Sequence, residues 1–410
     1  MKKKTFDNYE IAIILIVSLF LTYFNLSHLT FLMIQSSHSP SALPMFTLDG
    51  ISYFNGATEM IQNGKIFFTK DIYHSPGGQI WVSWVFRLAG SLDPIFIKVA
   101  NFVLALLIQL IMFLFVKREL GWKLGLIVST LIASSPKLHI YIATMQYEIL
   151  LSFIVCSLVF FMLRQKNDGN YLIGLLLGFL CFLAFMLRYH YLWLALITAL
   201  GLFKYRKSLI SFIFIFIIFS SVFVTSYVRE GVGLKEISEN SARQLRWMSP
   251  LSEGHNFPYP PEQPDIKPGF HYIWENPSSY SNQLLKRFGY LFSIKKDHYH
   301  IPSHFSDMLS KIFQIDLTAL AASLELLLIL VGIFFTWRIS QAIVWMYLGI
   351  AAAFLGPQLI IGSTSRFILP LLPLHIFFMT ISFFFLGKLL LFKICSFSRK
   401  NLLKNLTLKH

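Results

Sequence analysis

Runs of mostly apolar residues, separated by short polar segments, constrain the fold of this chain more than any other feature. A helix needs about 20 apolar residues to cross the roughly 30 Å hydrocarbon core of a bilayer. Such a helix satisfies its own backbone hydrogen bonds inside lipid. The runs predict about ten membrane-spanning helices, at residues 10–33, 94–116, 123–138, 146–163, 171–187, 189–203, 208–228, 317–336, 341–361 and 367–390.

The overall composition agrees with this interpretation. Of the 410 residues, 55% are hydrophobic and 13% are charged, which lies far from the composition of a soluble domain. The alternating pattern of a membrane β-barrel is absent from the sequence. We therefore predict an all-α polytopic membrane protein with a first outer loop that carries juxtamembrane helices and with one large outer loop.

The distribution of charge predicts the orientation in the membrane. Nearly all of the net charge of +15 lies in the segments that face the cytoplasm if both termini are inside. The loop 229–316 carries as many acidic as basic residues, so the positive-inside rule places it outside. The basic residues therefore indicate orientation in the cell (plasma) membrane. Because they are explained in this way, we expect no nucleic-acid partner.

Three regions follow from this topology. Residues 1–228 form a membrane module that includes the first outer loop, 34–93; residues 229–316 form the large outer loop; residues 317–410 form the last helices and a basic cytoplasmic tail. The apolar stretch 77–90 is too short to cross a bilayer comfortably, so we expect a helix on or in the outer leaflet. In the large outer loop we expect short helices near 235–247 and 278–292.

Acidic and aromatic residues in the first outer loop form a distinctive pattern. Asp49 starts an Asp-x-x-x-Tyr sequence that ends at Tyr53, and helical spacing places these two side chains on one face. Glu59 follows on nearly the opposite face, and Tyr73, His74, Ser75 and Pro76 lead to Trp81. The other landmarks are Ser135-Pro136 with Glu148, Arg188 after a span, and Ser365-Arg366-Phe367 before Pro370 and Pro373.

This order of landmarks resembles that of GT-C superfamily glycosyltransferases that use polyprenyl-phosphate sugars, including protein O-mannosyltransferases and the aminoarabinose transferases of lipid A. The chain departs from the usual acid pair because Gly50 follows Asp49, and Ser75 stands where aminoarabinose transferases carry a lysine. The resemblance implies transfer of a sugar from a polyprenyl-phosphate donor to a hydroxyl of a lipid, glycan or protein. It implies no nucleotide site, and no glycine-rich phosphate loop is present in the sequence.

The same resemblance implies roles for individual residues. Asp49 would be the general base, and Glu148 a second acid that orients the acceptor or, with Asp49, binds a divalent metal ion. Arg188 and Arg366 would stabilise the charge of the leaving phosphate. The substrate-binding residues would be Tyr53, His74, Arg188, His190 and Arg366.

Structural explanations compete with each of these roles. Asp49 is also a favourable helix cap, Glu148 is placed where a carboxylate stays solvated, and Arg188 and Arg366 lie where cations commonly snorkel to the membrane surface. Two other functions stay open. A polymerase or ligase of O-antigen type also has about ten spans and a large outer loop, and a secondary transporter would place its polar residues at mid-membrane on broken helices.

Overall fold

The structure is a computed structural model in which every described element is a helix. It describes residues 48–65, 77–135, 138, 141–142, 144–165, 167–188, 191–229, 277–278, 281–282, 284, 317–361 and 369–407, and no strand occurs in these ranges. The helices are α1 Leu48–Gln62, α2 Gly77–Ala89, α3 Ile95–Leu120, α4 Trp122–Ala133, α5 Glu148–Met162, α6 Tyr171–Leu187, α7 Leu192–Leu202, α8 Arg206–Arg229, α9 Leu317–Ile339, α10 Gln341–Ile361 and α11 Leu372–Thr407.

Helices α3 to α11 coincide with nine of the predicted spans, and the remaining one, 10–33, lies outside the described residues. Among the residues whose side chains are described, three segments are long and apolar enough to cross a membrane, namely Ile95–Leu120, Arg206–Ser226 and Leu369–Leu389. Five further apolar helices are shorter, with 10–17 residues each. The described parts of the chain are therefore all helical, and their long apolar helices indicate a membrane-embedded protein.

Helices α6 and α8 pack with their backbones in close approach. A Cβ atom added to Gly174 would lie 2.2 Å from the carbonyl oxygen of Ser208, and one added to Gly178 would lie 2.6 Å from the carbonyl oxygen of Phe212. Glycines four residues apart remove the side chains that would otherwise separate two helices in lipid. The sequence Gly174-x-x-x-Gly178 therefore forms a flat surface that receives α8.

Helices α9 and α11 also pack closely at a glycine. A Cβ atom added to Gly332 in α9 would lie 2.0 Å from the carbonyl oxygen of Phe378 in α11. The Ser382 hydroxyl in α11 donates a hydrogen bond to the Leu328 carbonyl in α9. These contacts fix α11 against α9 along the segment that follows the 369–371 turn.

Helices α1 and α2 form a pair within the first outer loop. The rings of Phe54 and Phe86 meet edge to face at 5.9 Å between centroids. The Arg87 Nη2 atom donates to the carbonyl oxygens of Met60 at 3.1 Å and Lys65 at 2.6 Å, so it fixes the carboxyl end of α1. Helix α2 covers the stretch in which the sequence predicts a short helix.

The predicted helices of the large outer loop fall mostly outside the description. The segment 235–247 is not among the described residues. Near 278–292 only residues 277–278, 281–282 and 284 are described, and these are helical.

Candidate substrate site at one end of the bundle

The first outer loop contributes helix α1 to the candidate site. Asp49 lies in the first turn of α1, and Tyr53 follows one turn later with its side chain 3% exposed. The side chain of Asp49 lies outside the described residues, as do the whole of His74, His190 and Arg366. The described part of the site is therefore built from Tyr53, Glu148, Arg188 and their neighbours.

Glu148 is the first residue of α5, and it is buried, with 3% of its side chain exposed. A charged carboxylate is costly to bury unless polar groups compensate it, so such residues mark functional or tightly paired positions. The helix amino terminus also favours a negative side chain in its first turn. Glu148 is therefore a buried acid whose position in the first helical turn favours a negative side chain.

A buried amide fixes the chain that leads into Glu148. The Asn101 Nδ2 atom in α3 donates to the carbonyl oxygen of Thr144 at 3.0 Å and approaches those of Tyr141 and Ile142 at 3.5 Å. The Thr144 hydroxyl donates to the Tyr141 carbonyl at 3.2 Å. A polar residue in an apolar span is costly unless it binds a partner, and Asn101 finds three in this turn.

Arg188 joins the site from the carboxyl end of α6. Its Nε atom donates a hydrogen bond to the Tyr147 hydroxyl, and its guanidinium carbon lies 5.6 Å from the centre of the Tyr147 ring. The Tyr147 ring in turn lies 5.7 Å from the Tyr53 ring, at an interplanar angle of 45°. The structure thus brings Tyr53 and Arg188 together through Tyr147, which immediately precedes Glu148.

Two glycines allow the start of α2 to pack against the end of α6 and against Tyr53. A Cβ atom added to Gly77 would lie 2.2 Å from the Cα atom of Leu187, and one added to Gly78 would lie 2.6 Å from the Tyr53 ring. The start of α2 therefore packs directly on the residue before Arg188 and on the aromatic residue of α1. The Gly-Gly pair after Pro76 has a packing function that any larger residue would prevent.

A further contact joins the site to the segment that follows Arg366 in the sequence. The Ser152 Oγ atom in α5 lies 3.0 Å from the carbonyl oxygen of Glu148 and 3.0 Å from that of Leu369. Leu369 follows Arg366 by three positions in the sequence. The described end of the segment that carries Arg366 is therefore hydrogen-bonded to α5 one turn after Glu148.

Two further acidic residues are partly buried, namely Glu59 on α1 and Glu325 on α9. Deeper in the bundle, the Tyr347 hydroxyl lies 2.9 Å from the His375 Nε2 atom, a pair that the sequence did not predict. Tyr147, Asn101 and Ser152 were also missed, although a polar residue within an apolar run is a usable signal.

Two residues are the predicted ligands of a divalent metal ion. Glu148 is one of them, and the other, Asp49, has its side chain outside the description. No group of three or more His, Cys, Asp and Glu side chains among the described residues is arranged to hold a metal ion.

Comparisons with protein-family models, with curated proteins and with solved structures find no match to this chain.

Proposed function

We propose that this chain is a membrane glycosyltransferase that transfers a sugar from a polyprenyl-phosphate donor to a hydroxyl of a cell-envelope lipid, glycan or protein. The observation that carries the proposal is that Tyr53 and Arg188, from separate helices, both contact Tyr147, the residue directly before the buried Glu148. An acid, a cation and the helix that begins with the predicted base are the components that such a transfer needs.

Asp49 is the proposed general base. It takes the proton of the acceptor hydroxyl while the acceptor oxygen attacks the anomeric carbon of the donor. The bond between that carbon and the phosphate oxygen breaks, the configuration inverts, and the electron pair leaves with the polyprenyl phosphate. A positioned base of this kind contributes about 10²- to 10⁴-fold to the rate.

Arg188 and Arg366 are the proposed ligands of the phosphate. A guanidinium can hold two phosphate oxygens at once through its planar donors. Because negative charge builds up on the phosphate as the bond breaks, fixed cations stabilise the transition state more than the ground state. The hydrogen bond from Ser152 to the Leu369 carbonyl supports a location for the last outer turn beside Glu148.

Glu148 is proposed to orient the acceptor hydroxyl, and His74 and His190 to contact the sugar. The proposed topology has about ten spans with both termini in the cytoplasm and the site on the outer face of the plasma membrane. A donor anchored in the outer leaflet would then reach the site directly from the lipid.

The central test compares Asp49→Asn with the unchanged protein in membrane vesicles that generate polyprenyl-linked sugars from radiolabelled nucleotide sugars. The substitution keeps the size of the side chain and removes its ability to take a proton. We expect transfer of label to acceptors to fall by at least about 10²-fold at equal protein abundance.

Asp168→Asn is the matched control, because Asp168 is exposed, forms a 4.0 Å ion pair with Lys207 and belongs to the turn before α6. It should leave transfer unchanged. Near-normal turnover by Asp49→Asn would reduce Asp49 to a helix cap. Uptake of sugar into the vesicles without any covalent transfer would instead identify a transporter.

A further inference from the structure

We propose that Tyr147 is a positioning residue that orients the Arg188 guanidinium towards a lipid-linked phosphate. The inference deepens the proposed function and rests on it. Tyr147 contacts Arg188 through its hydroxyl, and the guanidinium carbon lies 5.6 Å from the centre of the ring, at its hydroxyl end. The role assigned to Tyr147 is therefore to act through Arg188, without contact to the reacting atoms.

The hydrogen bond determines the orientation of the guanidinium plane. An arginine carries five N–H donors in one rigid plane, so an acceptor that binds Nε also defines where the other donors point. The Tyr147 hydroxyl is that acceptor. Two-point binding of phosphate oxygens depends on this plane.

The backbone of Arg188 is also fixed. Its N–H group donates to the Ala184 carbonyl at 3.0 Å, and the residue is in an extended conformation directly after α6. The hydrogen bond to Tyr147 then helps to set the orientation of the long side chain. Setting that orientation before any substrate binds is preorganisation, which lowers the entropic cost of binding.

Tyr147 is itself held rigidly. Its side chain is 2% exposed, and its ring packs on that of Tyr53, which in turn packs on Gly78. A continuous stack therefore runs from α1, the helix that begins beside Asp49, to the cation after α6. A shift of α1 would be transmitted to Arg188 through Tyr147, and a shift of Arg188 would be transmitted to α1.

The binding test uses two probes, farnesyl phosphate and farnesol, with the purified full-length protein in detergent. These probes share the prenyl chain and differ in the phosphate. Tyr147→Phe keeps the ring and removes the hydroxyl, so it should weaken binding of farnesyl phosphate by about 10-fold or more and leave farnesol binding unchanged. The matched control is Tyr171→Phe, because Tyr171 is 55% exposed at the start of α6.

A double-mutant cycle separates positioning from a general structural role. If Tyr147 acts through Arg188, the protein with Tyr147→Phe and Arg188→Gln together should bind farnesyl phosphate no more weakly than Arg188→Gln alone. Additive losses would show that Tyr147 acts independently and would overturn the inference. Arg188→Lys, which keeps the charge without the Nε donor, should reproduce the effect of Tyr147→Phe even where the tyrosine variant folds poorly.

The outcomes distinguish this inference from the proposed function. Wild-type protein that prefers farnesyl phosphate, with the same preference in Tyr147→Phe, would overturn only the role of Tyr147. Wild-type protein that binds both probes equally would overturn the lipid-phosphate function, and the inference with it.

Discussion

The Ser152 Oγ atom lies 3.0 Å from the carbonyl oxygens of both Glu148 and Leu369, residues that are far apart in the sequence. A hydroxyl has a single hydrogen to donate, so the two carbonyls share it. One carbonyl belongs to the first turn of α5 and the other to the turn that precedes α11. This side chain therefore couples the predicted acid to the segment that follows Arg366.

Replacement of Ser152 by alanine should loosen this coupling. The lost hydrogen bond is worth about 1 kcal/mol, with a further cost for the Leu369 carbonyl if it stays buried without a donor. We expect a lower melting temperature and a lower rate of sugar transfer, measured on purified protein and in vesicles. Ser157→Ala is the control, because Ser157 is also buried on α5 and its hydroxyl has no hydrogen-bond partner among the described residues. Equal effects of the two substitutions would contradict the role given to Ser152.

Gly77→Ala should disturb the junction of α2 with the end of α6. The added Cβ atom would lie 2.2 Å from the Leu187 Cα atom and 2.5 Å from the Met186 carbonyl oxygen, and neither backbone atom can move alone. Overpacking of this kind costs typically about 1–3 kcal/mol, so thermal unfolding should occur at a lower temperature. Gly387→Ala serves as the comparison, because no heavy atom lies within 4 Å of its added Cβ. It should match wild type or exceed it slightly, and an unaffected Gly77→Ala protein would refute the close approach.

Arg366→Lys tests the proposed phosphate contact of the last outer turn. Lysine keeps the charge but lacks the planar pair of donors, so donor binding and transfer should both weaken, and Arg366→Ala should weaken them further. The assay needs vesicles in which each variant is matched for abundance. Unchanged kinetics in both variants would leave Arg188 as the proposed phosphate ligand.

Cysteine labelling tests the topology that the catalytic proposal assumes. Single cysteines introduced at Ser41 and Ser252 should react with an impermeant reagent from outside, and one at Ser398 only after permeabilisation. Cys395 has to be replaced first, whereas Cys156 and Cys181 are buried and should stay silent. Labelling at Ser398 in intact cells would invert the assigned orientation.

Helix locations were predictable from the sequence because long apolar runs are a local signal. Their ends were less so. Helix α4 ends at Ala133, short of the predicted residue 138. Two local features explain this end. The Ser134 hydroxyl donates a hydrogen bond to the Thr130 carbonyl at 2.9 Å. Ser135 precedes a proline, and the residue before a proline disfavours helical backbone. Helix α11 continues to Thr407, beyond the predicted 390, because hydropathy marks contact with lipid and not the end of helical backbone.

The candidate site was predictable only as a set of residues. Order along the chain and shared polarity selected Tyr53, Glu148 and Arg188, but neither can tell which side chains touch. The contact between Tyr147 and Arg188 joins residues 41 positions apart, and that between Gly77 and Leu187 joins two different helices. Such contacts depend on how the helices pack, which periodicity does not specify.

The glycine surface of α6 limits how a lipid could enter this protein. An added Cβ on Gly174 would lie only 2.1 Å from the Ser211 Oγ atom, and the neighbouring contacts of Gly178 are similarly short. Backbones this close leave no room for a prenyl chain between the first half of α6 and α8, and further along the same interface the rings of Phe182 and Phe223 pack edge to face at 6.1 Å. A lipid that moves sideways out of the bilayer must therefore enter between other helices, because the interface of α6 with α8 is closed to it.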